Sequence, residues 1–408
     1  MGALGLALIF IIGTTRPINL GALALIMTFV IGAGFAHEPV ADMYRGFPVD
    51  LFVLLTGVTY LFAIASHNGT IGRMVEWATS LAKGRRTLIP WIAFSAASLP
   101  AMAGALGSAG VALLAPLSLR LAERFDLDRR MVGLMVVHGA SAGNFSPLNP
   151  LGALVNQAMA RSGLPSAALQ LFLANLGYNI ALGAIIVALF GRPRSRSNAD
   201  QPAQVDQSAA RFTIDQRCTV AAILAVAIAA LGFGLSIGFL AFGAGALLQL
   251  LFPKSSLGAE KHIAWNVVLL VCGIVTYVAA LQRYGTVQAA GAGIAALGTP
   301  LLTVLLLCAV GAVTSAFASS AGILGALIPF ALPFTVQNTI DATALVIALA
   351  ISVTVVDGMP FSTVGALVVA NADETERPRV YRGLLRWGSV MVVTAPLLTW
   401  LIFILPSS

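Results

Sequence analysis

The most constraining feature of this chain is a set of long runs without a charged side chain, including residues 87–119, 131–160 and 284–340. A helix needs about 20 apolar residues to cross the hydrocarbon core of a bilayer. A soluble fold of 408 residues could not cover the surface of a chain that is 58% hydrophobic and 10% charged. The sequence therefore predicts an all-α polytopic membrane protein, with the lipid bilayer as its solvent.

The apolar runs are of two kinds. Two of them, about 90–118 and 300–334, carry a central break of Gly, Ser and Ala, and we expect each to fold back as a re-entrant helical hairpin. The remaining runs are predicted to cross the membrane ten times, at about 1–14, 18–35, 47–66, 131–160, 168–191, 216–233, 235–252, 264–282, 343–371 and 387–404.

The basic residues then indicate the orientation. With this threading, all of the 23 Lys and Arg lie on one side except Arg45, Arg161 and Arg283, and the positive-inside rule makes that side cytoplasmic. The first hairpin would enter from the cytoplasm and the second from outside, and both termini would lie outside. We expect a bacterial cytoplasmic (inner) membrane. The net charge of +7 is thus a topology signal, and no nucleic-acid partner is expected.

The two halves of the chain resemble each other. Residues 144–155 align without gaps to residues 357–368, and the Pro, Gly-Ala-Leu-Val and polar positions match. The two hairpins follow nearly the same offset. The repeats would span 1–191 and 216–408, joined by a polar cytoplasmic linker at 192–215. Each would hold five crossings and one hairpin, and an odd number of crossings inverts one repeat relative to the other.

Proline interrupts two predicted spans, at Pro147 and Pro150 and again at Pro360. Broken helices at membrane depth are tolerated where they line a buried or watery site, and the half-helix after each break directs a partial positive charge at it. No basic side chain is available there, and the two mirrored corners would suit a small dicarboxylate. The predicted substrate-binding residues are Ser108, Ser141, Asn144, Ser146, Asn149, Ser319, Ser320, Ser362 and Thr363.

Asp357 is the only acidic residue deep within a predicted span, which suggests a role in binding a cation or carrying a proton. Its repeat equivalent is the neutral Asn144. Capping of the broken helix by Asp357 is an alternative. His138 is the only histidine in a span, and both a proton relay and a packing role are possible for it.

Three segments resemble a known family. They are RPINLGALAL at 16–25, GFAHEP at 34–39 and the stretch at 46–70, and they are similar to the N-terminal domain of malonate and dicarboxylate carriers of the MatC type. The plan of hairpins and broken helices resembles the divalent anion/sodium symporters of the ion transporter superfamily. The resemblance implies a homodimer that takes up a malonate-like C3–C4 dicarboxylate by cation symport, with an elevator mechanism.

The same resemblance points to residues for the coupling ion, Na⁺ or H⁺. The hairpin tips of the superfamily match, by position, Gly107-Ser108-Ala109 and Ser319-Ser320-Ala321. The Asn and Thr that are usual in those tips are missing here. Their absence puts sodium coupling in doubt. The coupling-ion residues implied are Asp357, Asn144, Gly107 and Ser320.

Some of these sequence features also fit other functions. A cation/proton antiporter centred on Asp357, or a carrier of another organic or inorganic anion, remains an alternative. The G-x-S-x-G pattern at 234–238 lies in an apolar run and predicts helix packing, not a nucleophile. Cys218, Cys272 and Cys308 show no disulfide or metal spacing. The sequence therefore predicts no enzyme, no cofactor and no metal beyond possible sodium.

Overall fold

The computed structural model describes residues 2–16, 18–74, 86–161, 163–191, 212–233, 235–286, 300–316, 320–331, 335 and 340–407, and these residues contain no β-strand. The helices of the first half are α1 (Gly2–Thr15), α2 (Leu20–Gly34), α3 (Val40–Met43), α4 (Val49–His67), α5 (Ile89–Met102), α6 (Gly107–Arg124), α7 (Arg129–Gly143), α8 (Pro150–Arg161) and α9 (Ala168–Phe190). Those of the second half are α10 (Ile214–Phe233), α11 (Ile237–Leu251), α12 (Trp265–Arg283), α13 (Pro300–Ser315), α14 (Ser320–Ala331), α15 (Ala342–Thr354), α16 (Thr363–Ala370) and α17 (Arg377–Thr399).

The chain is all-helical, as predicted. Within the described residues, five segments are long and apolar enough to cross a membrane: Val49–His67, Ala168–Phe190, Trp265–Arg283, Ala342–Ala370 and Arg377–Ser407. Other apolar helices are shorter; α1 has 14 residues and α11 has 15, less than the roughly 20 that a straight crossing needs. The number of ten crossings stays a prediction.

Helix interruptions lie where the sequence predicts them. The run 131–160 consists of α7 and α8 with a turn at 144–149, and the run 343–371 consists of α15, a 3₁₀ turn at Val355–Gly358, and α16. The first predicted hairpin consists of α5 and α6, which turn at Gly104, where φ is +117° and a residue with a Cβ would be strained. In the second, α13 ends at Ser315 and α14 begins at Ser320.

One group of helices, which we call the frame, comprises α1–α4 and α10–α12. Its crossings join the two halves: α2 packs on α12, and α4 packs on α11. Both crossings are backbone to backbone. A Cβ added at Gly273 would lie 2.1 Å from the carbonyl oxygen of Gly21, and one at Gly57 would lie 2.3 Å from that of Gly238. Glycine is therefore required at both crossings for the helices to approach so closely.

The second group, the inner helices, comprises α5–α9 and α13–α17. Its apolar core includes Val136 on α7 and Leu349 and Ile351 on α15, which are fully or nearly fully buried. This group also joins the halves, because α6 packs against α16 and α8 packs against α14. The two groups meet where α8 contacts α4 and α14 contacts α12.

The α17 helix begins earlier than the predicted span at 387–404. It starts at Arg377, so Arg379, Arg382 and Arg386 lie on its first turns, and a π-helical turn continues it through Trp400–Ile404. The apolar pattern marks only the part of a helix that lies in lipid, while the helix itself continues through charged residues that favour helical structure.

Candidate functional site

The first broken helix is fastened to the neighbouring hairpin by Asn149. Its Oδ1 accepts a hydrogen bond of 2.9 Å from the backbone N–H of Leu151, which caps α8. Its Nδ2 donates to the carbonyl oxygens of Ala101 at 2.8 Å and Ala105 at 3.1 Å, at the turn between α5 and α6. Asn149 is fully buried. Both polar atoms of its amide thus hydrogen-bond to the break and the hairpin, which fastens the two together.

Ser362 occupies the equivalent place in the second half. Its hydroxyl accepts a 3.1 Å hydrogen bond from the backbone N–H of Gly365 and so caps α16. The hydroxyl hydrogen faces the carbonyl oxygens of Asp357 and Met359. The two residues that the repeat aligns, Asn149 and Ser362, are therefore both N-caps of the half-helix after the break.

Two aligned glycines allow the same tight turn in both breaks. A Cβ at Gly152 would lie 2.5 Å from the carbonyl oxygen of Ser146, and a Cβ at Gly365 would lie 2.0 Å from that of Met359. The carbonyl belongs in each case to the residue six positions earlier. The shared glycine of the two Gly-Ala-Leu-Val segments is thus explained by the tight turn that precedes each half-helix.

The first corner of the site is formed by Asn144 and the start of α6. Asn144 is 4% exposed, and within the described residues its Oδ1 accepts no hydrogen bond. That oxygen lies 3.1 Å from the position that a Cβ of Gly107 would occupy. The first turn of α6 has no side-chain cap. A buried amide oxygen and a helix N-terminus thus meet at the hairpin tip.

The second corner also joins a hairpin tip to a broken helix, but it contains an ionisable side chain. The hydroxyl of Ser320, at the start of α14, donates a 2.5 Å hydrogen bond to Oδ1 of Asp357, which is 8% exposed. The hydroxyl of Ser315, at the end of α13, lies 3.0 Å from that of Ser320. The structure therefore brings together the predicted pair Asp357 and Ser320.

His138 takes part in a buried chain of hydrogen bonds. Its Nε2 accepts from the indole N–H of Trp387 at 2.8 Å, so Nδ1 carries the proton and donates to Oδ1 of Asn179 at 3.0 Å. Nδ2 of Asn179 donates to Asn175, which in turn donates to the carbonyl of Ser141 at 2.8 Å. Both ring nitrogens are thus used, which favours the packing role of His138 over the proton relay.

The remaining predicted residues lie in different surroundings. Ser146 donates to the carbonyl of Met102 at 2.5 Å and accepts from the N–H of Leu148, so it supports the break as Asn149 does. Ser108 is partly buried on the first turn of α6, and Thr363 is exposed. Ser141 is buried and contributes its carbonyl to the chain from Asn175. Ser319 lies outside the described residues.

Sequence reasoning missed Asn175, Asn179 and Trp387. Two asparagines four residues apart in the otherwise apolar α9 lie on one helix face and are a recognisable signal of helix–helix hydrogen bonding. Trp387 gave no such signal, because its partner lies 249 positions away. No group of three His, Cys, Asp or Glu side chains able to hold a metal occurs among the residues that the structure covers.

Two comparisons with known proteins match the chain. Residues 1–144 match the family model described as "Dicarboxylate carrier protein MatC N-terminus", which confirms the resemblance of the N-terminal segments. The solved structure of the Alcanivorax borkumensis YdaH transporter superposes with a TM-score of 0.63 at 14% identity, covering 93% of this chain and 96% of that one. A search of curated proteins gave no match.

These likenesses concern the fold and the first third of the sequence. The superposition shows that this chain shares its fold with a transporter, and the match over its first third is to a carrier family.

Proposed function

We propose that this protein takes up a small dicarboxylate, malonate-like with three or four carbons, by cation-coupled symport. The observation that carries the proposal is the pair of mirrored corners, in each of which a hairpin tip faces the residue where a helix breaks. The N-terminal third of the chain also matches a dicarboxylate carrier family.

The corners suit a dianion because of what lies near them. The α6 and α14 helices begin there, and a helix N-terminus favours negative charge through its free N–H groups and dipole. The pairs that form the corners, Asn144 with Gly107 and Asp357 with Ser320, include no Lys or Arg. A substrate with a carboxylate at each end would place one at each corner, and the coupling cation would offset the remaining charge. Ser108 and Thr363 are the proposed polar contacts.

The difference between the corners supports cation coupling. Asn144 and Asp357 are aligned by the repeat, yet only Asp357 can carry a negative charge. A Na⁺ bound beside Asp357, or a proton on it, would compensate that charge when the substrate arrives. The proposed coupling-ion residues are Asp357 and Ser320 in one corner and Asn144 and Gly107 in the other.

We also propose an elevator movement of the inner helices against the frame, and the division into two groups of helices supports it. The contact surface between α8 and α14 on one side and α4 and α12 on the other includes the apolar residues Leu51, Leu154 and Val275. Apolar surfaces can slide without breaking polar pairs. We further propose inverted repeats, a homodimer in a bacterial inner membrane, and both termini outside.

The proposal is tested by uptake of radiolabelled malonate and succinate into proteoliposomes, with sodium and proton gradients imposed separately. If one of the two gradients drives uptake, the result supports symport and identifies the coupling ion. Absence of uptake under both gradients, with folded protein, would contradict it, and a panel of other organic and inorganic anions would then be measured in the same vesicles.

A second candidate is a cation/proton antiporter centred on Asp357, because this buried carboxylate has a hydroxyl partner and no basic one among the described hydrogen bonds and ion pairs. In that case a pH gradient would drive sodium or potassium flux without any dicarboxylate. The same vesicles, loaded with a cation-sensitive dye, distinguish the two functions.

A further inference from the structure

Four arginines line one cavity at the end of the inner helices. The cavity has a volume of about 350 Å³ and is bordered by Arg130 at the start of α7 and by Arg379, Arg382 and Arg386 on α17, with Gly383 between them. Positions 379, 382 and 386 follow the spacing of one helix face. This cavity is separate from the two corners and from the frame crossings.

The shape of the cavity depends on Gly383. A Cβ at this position would lie 2.5 Å from Cδ of Arg130, so the absence of a side chain lets the stem of Arg130 lie against α17. The guanidinium of Arg130 lies 5.0 Å above the ring of Phe190, at the end of α9. The ends of α7, α9 and α17 thus meet around the cavity.

The charge of the cavity is only partly neutralised. Asp128 contacts Arg130 at 2.6 Å and Arg379 at 3.3 Å, and Glu376 lies 3.8 Å from Arg379. Among the ion pairs of the described residues, none reaches Arg382 or Arg386, and both side chains are exposed. Nε of Arg382 donates a 3.1 Å hydrogen bond to the carbonyl oxygen of Pro378 on its own helix. Two guanidinium groups thus remain available to an anion.

The surface next to these arginines is apolar and uncovered. The helix face that carries Arg382 and Arg386 continues through Val390, Val393 and Leu397, which are 52%, 61% and 44% exposed. The α9 helix, whose last residue contacts Arg130, exposes Leu189 and Ile185 as well. Cationic groups at the top of an apolar helix face match the arrangement of a phospholipid, with its headgroup above its acyl chains.

We propose that the arginine cavity binds the headgroup of an anionic phospholipid whose acyl chains lie along the exposed faces of α17 and α9. The phosphodiester accepts hydrogen bonds from Arg382 and Arg386, and Arg130 and Arg379 add to the positive field. A soluble anion would use the arginines but would gain nothing from Val390, Val393 and Leu397. Because the lipid would be held by the inner helices, it would travel with them if they move.

The test is a titration of the full-length protein in a neutral detergent, followed by its thermal unfolding midpoint. The probes are short-chain phosphatidylglycerol, phosphatidylcholine of the same chain length, and inorganic phosphate. We expect saturable stabilisation by phosphatidylglycerol. The R382Q/R386Q variant should bind it about 30-fold more weakly, since each basic residue near a lipid surface contributes about fivefold to tenfold.

The K254Q/K261Q variant is the matched control. It removes two exposed positive charges away from the cavity, and it should bind phosphatidylglycerol as the unmodified protein does. Equal affinity of R382Q/R386Q and the control, or equal effects of the two lipids, would overturn the proposal. Equal stabilisation by inorganic phosphate would overturn it in favour of a soluble anion. Should the double variant not fold, the single R386Q and R386K variants give the same comparison, with binding weakened only by the Gln.

Discussion

The hydroxyl of Ser320 donates a 2.5 Å hydrogen bond to the carboxylate of Asp357, which ties the tip of the second hairpin to the second broken helix. In the first half, Asn144 aligns with Asp357 and its amide oxygen lies beside Gly107, next to Ser108, which aligns with Ser320. Each corner therefore joins a hairpin tip to a broken helix, but only the second contains an ionisable side chain.

This difference predicts the behaviour of Asp357→Asn. The variant keeps an acceptor for Ser320 but cannot carry a negative charge, so dicarboxylate uptake should lose its dependence on the sodium or proton gradient while the order of preference among substrates stays the same. Uptake in proteoliposomes under each gradient measures this. A gradient dependence equal to that of the unmodified protein would show that Asp357 only caps the break.

The aligned glycines predict a matched set of stability changes. Gly152→Ala and Gly365→Ala each force a Cβ against a backbone carbonyl and should destabilise the protein by about 1–3 kcal/mol. Gly177→Ala and Gly243→Ala are controls, because a Cβ at either position meets nothing within 4 Å, and they should change stability by about 0.5 kcal/mol or less. Thermal unfolding in detergent measures all four. Equal midpoints for both pairs would contradict the assigned turn.

Asn149 is predicted to support transport through structure. Asn149→Ala removes a cap and leaves two carbonyls without their donor, and it should destabilise the protein by roughly 2–4 kcal/mol and abolish most uptake. Asn149→Asp keeps the cap oxygen but places a buried carboxylate against the two carbonyl oxygens, so it should destabilise the protein at least as much as Asn149→Ala. Ser362→Ala, which removes one cap, should cost about 1 kcal/mol. Unfolding midpoints and uptake per folded molecule, measured together, check this order.

His138 is predicted not to carry protons. His138→Gln keeps a donor and an acceptor between Trp387 and Asn179, so the folded variant should transport with an unchanged pH profile. His138→Ala leaves Trp387 N–H and the Asn179 oxygen unpaired and should destabilise the protein by about 2–4 kcal/mol. A shifted pH profile in the Gln variant would instead support a proton-relay role for His138.

The ion pairs of Asp128 predict that the stability of the protein depends on pH. Burial raises the pKa of Asp128, but hydrogen bonds from Arg130 and the charges of Arg130 and Arg379 outweigh burial and hold it below its ordinary value of 3.8. The stabilisation from Asp128 is therefore complete above the ordinary pKa and is lost as the pH falls through the lowered one. Asp128→Asn should lower the unfolding midpoint at pH 7, and the difference from the unmodified protein should shrink below about pH 4. A difference that is constant with pH would show that the carboxylate charge is not involved.

Much of the fold was accessible from the sequence, because proline and glycine act locally. Pro147 and Pro360 lie in the two breaks, Pro150 begins α8 directly after the first one, and Gly104 lies in the turn of the first hairpin. The aligned offset of the halves also identified Asn149 and Ser362 as equivalent residues. Their function as caps was not accessible, since a polar residue after a break looks the same whether it faces substrate or the backbone.

Contacts between residues far apart in the chain could not be predicted from the sequence. The hydrogen bond between His138 and Trp387 depends on how α7 and α17 pack, as does the shared cavity of Arg130 and Arg379, and no local pattern in the sequence indicates either. The hydropathy pattern likewise placed the start of α17 ten residues too late, so Arg382 and Arg386 were interpreted as loop charges and not as one face of a helix.

The crossings of α2 with α12 and of α4 with α11 have a consequence for biogenesis. Each joins a helix made early in synthesis to one made late, and the contacts of α6 with α16 and α8 with α14 do the same. The first half cannot complete its packing until the second half has been synthesised. Residues 1–191 are therefore inserted in the membrane with the glycine surfaces of α2 and α4 still uncovered. If the two halves are expressed as separate polypeptides, they should assemble only when both are present in one cell.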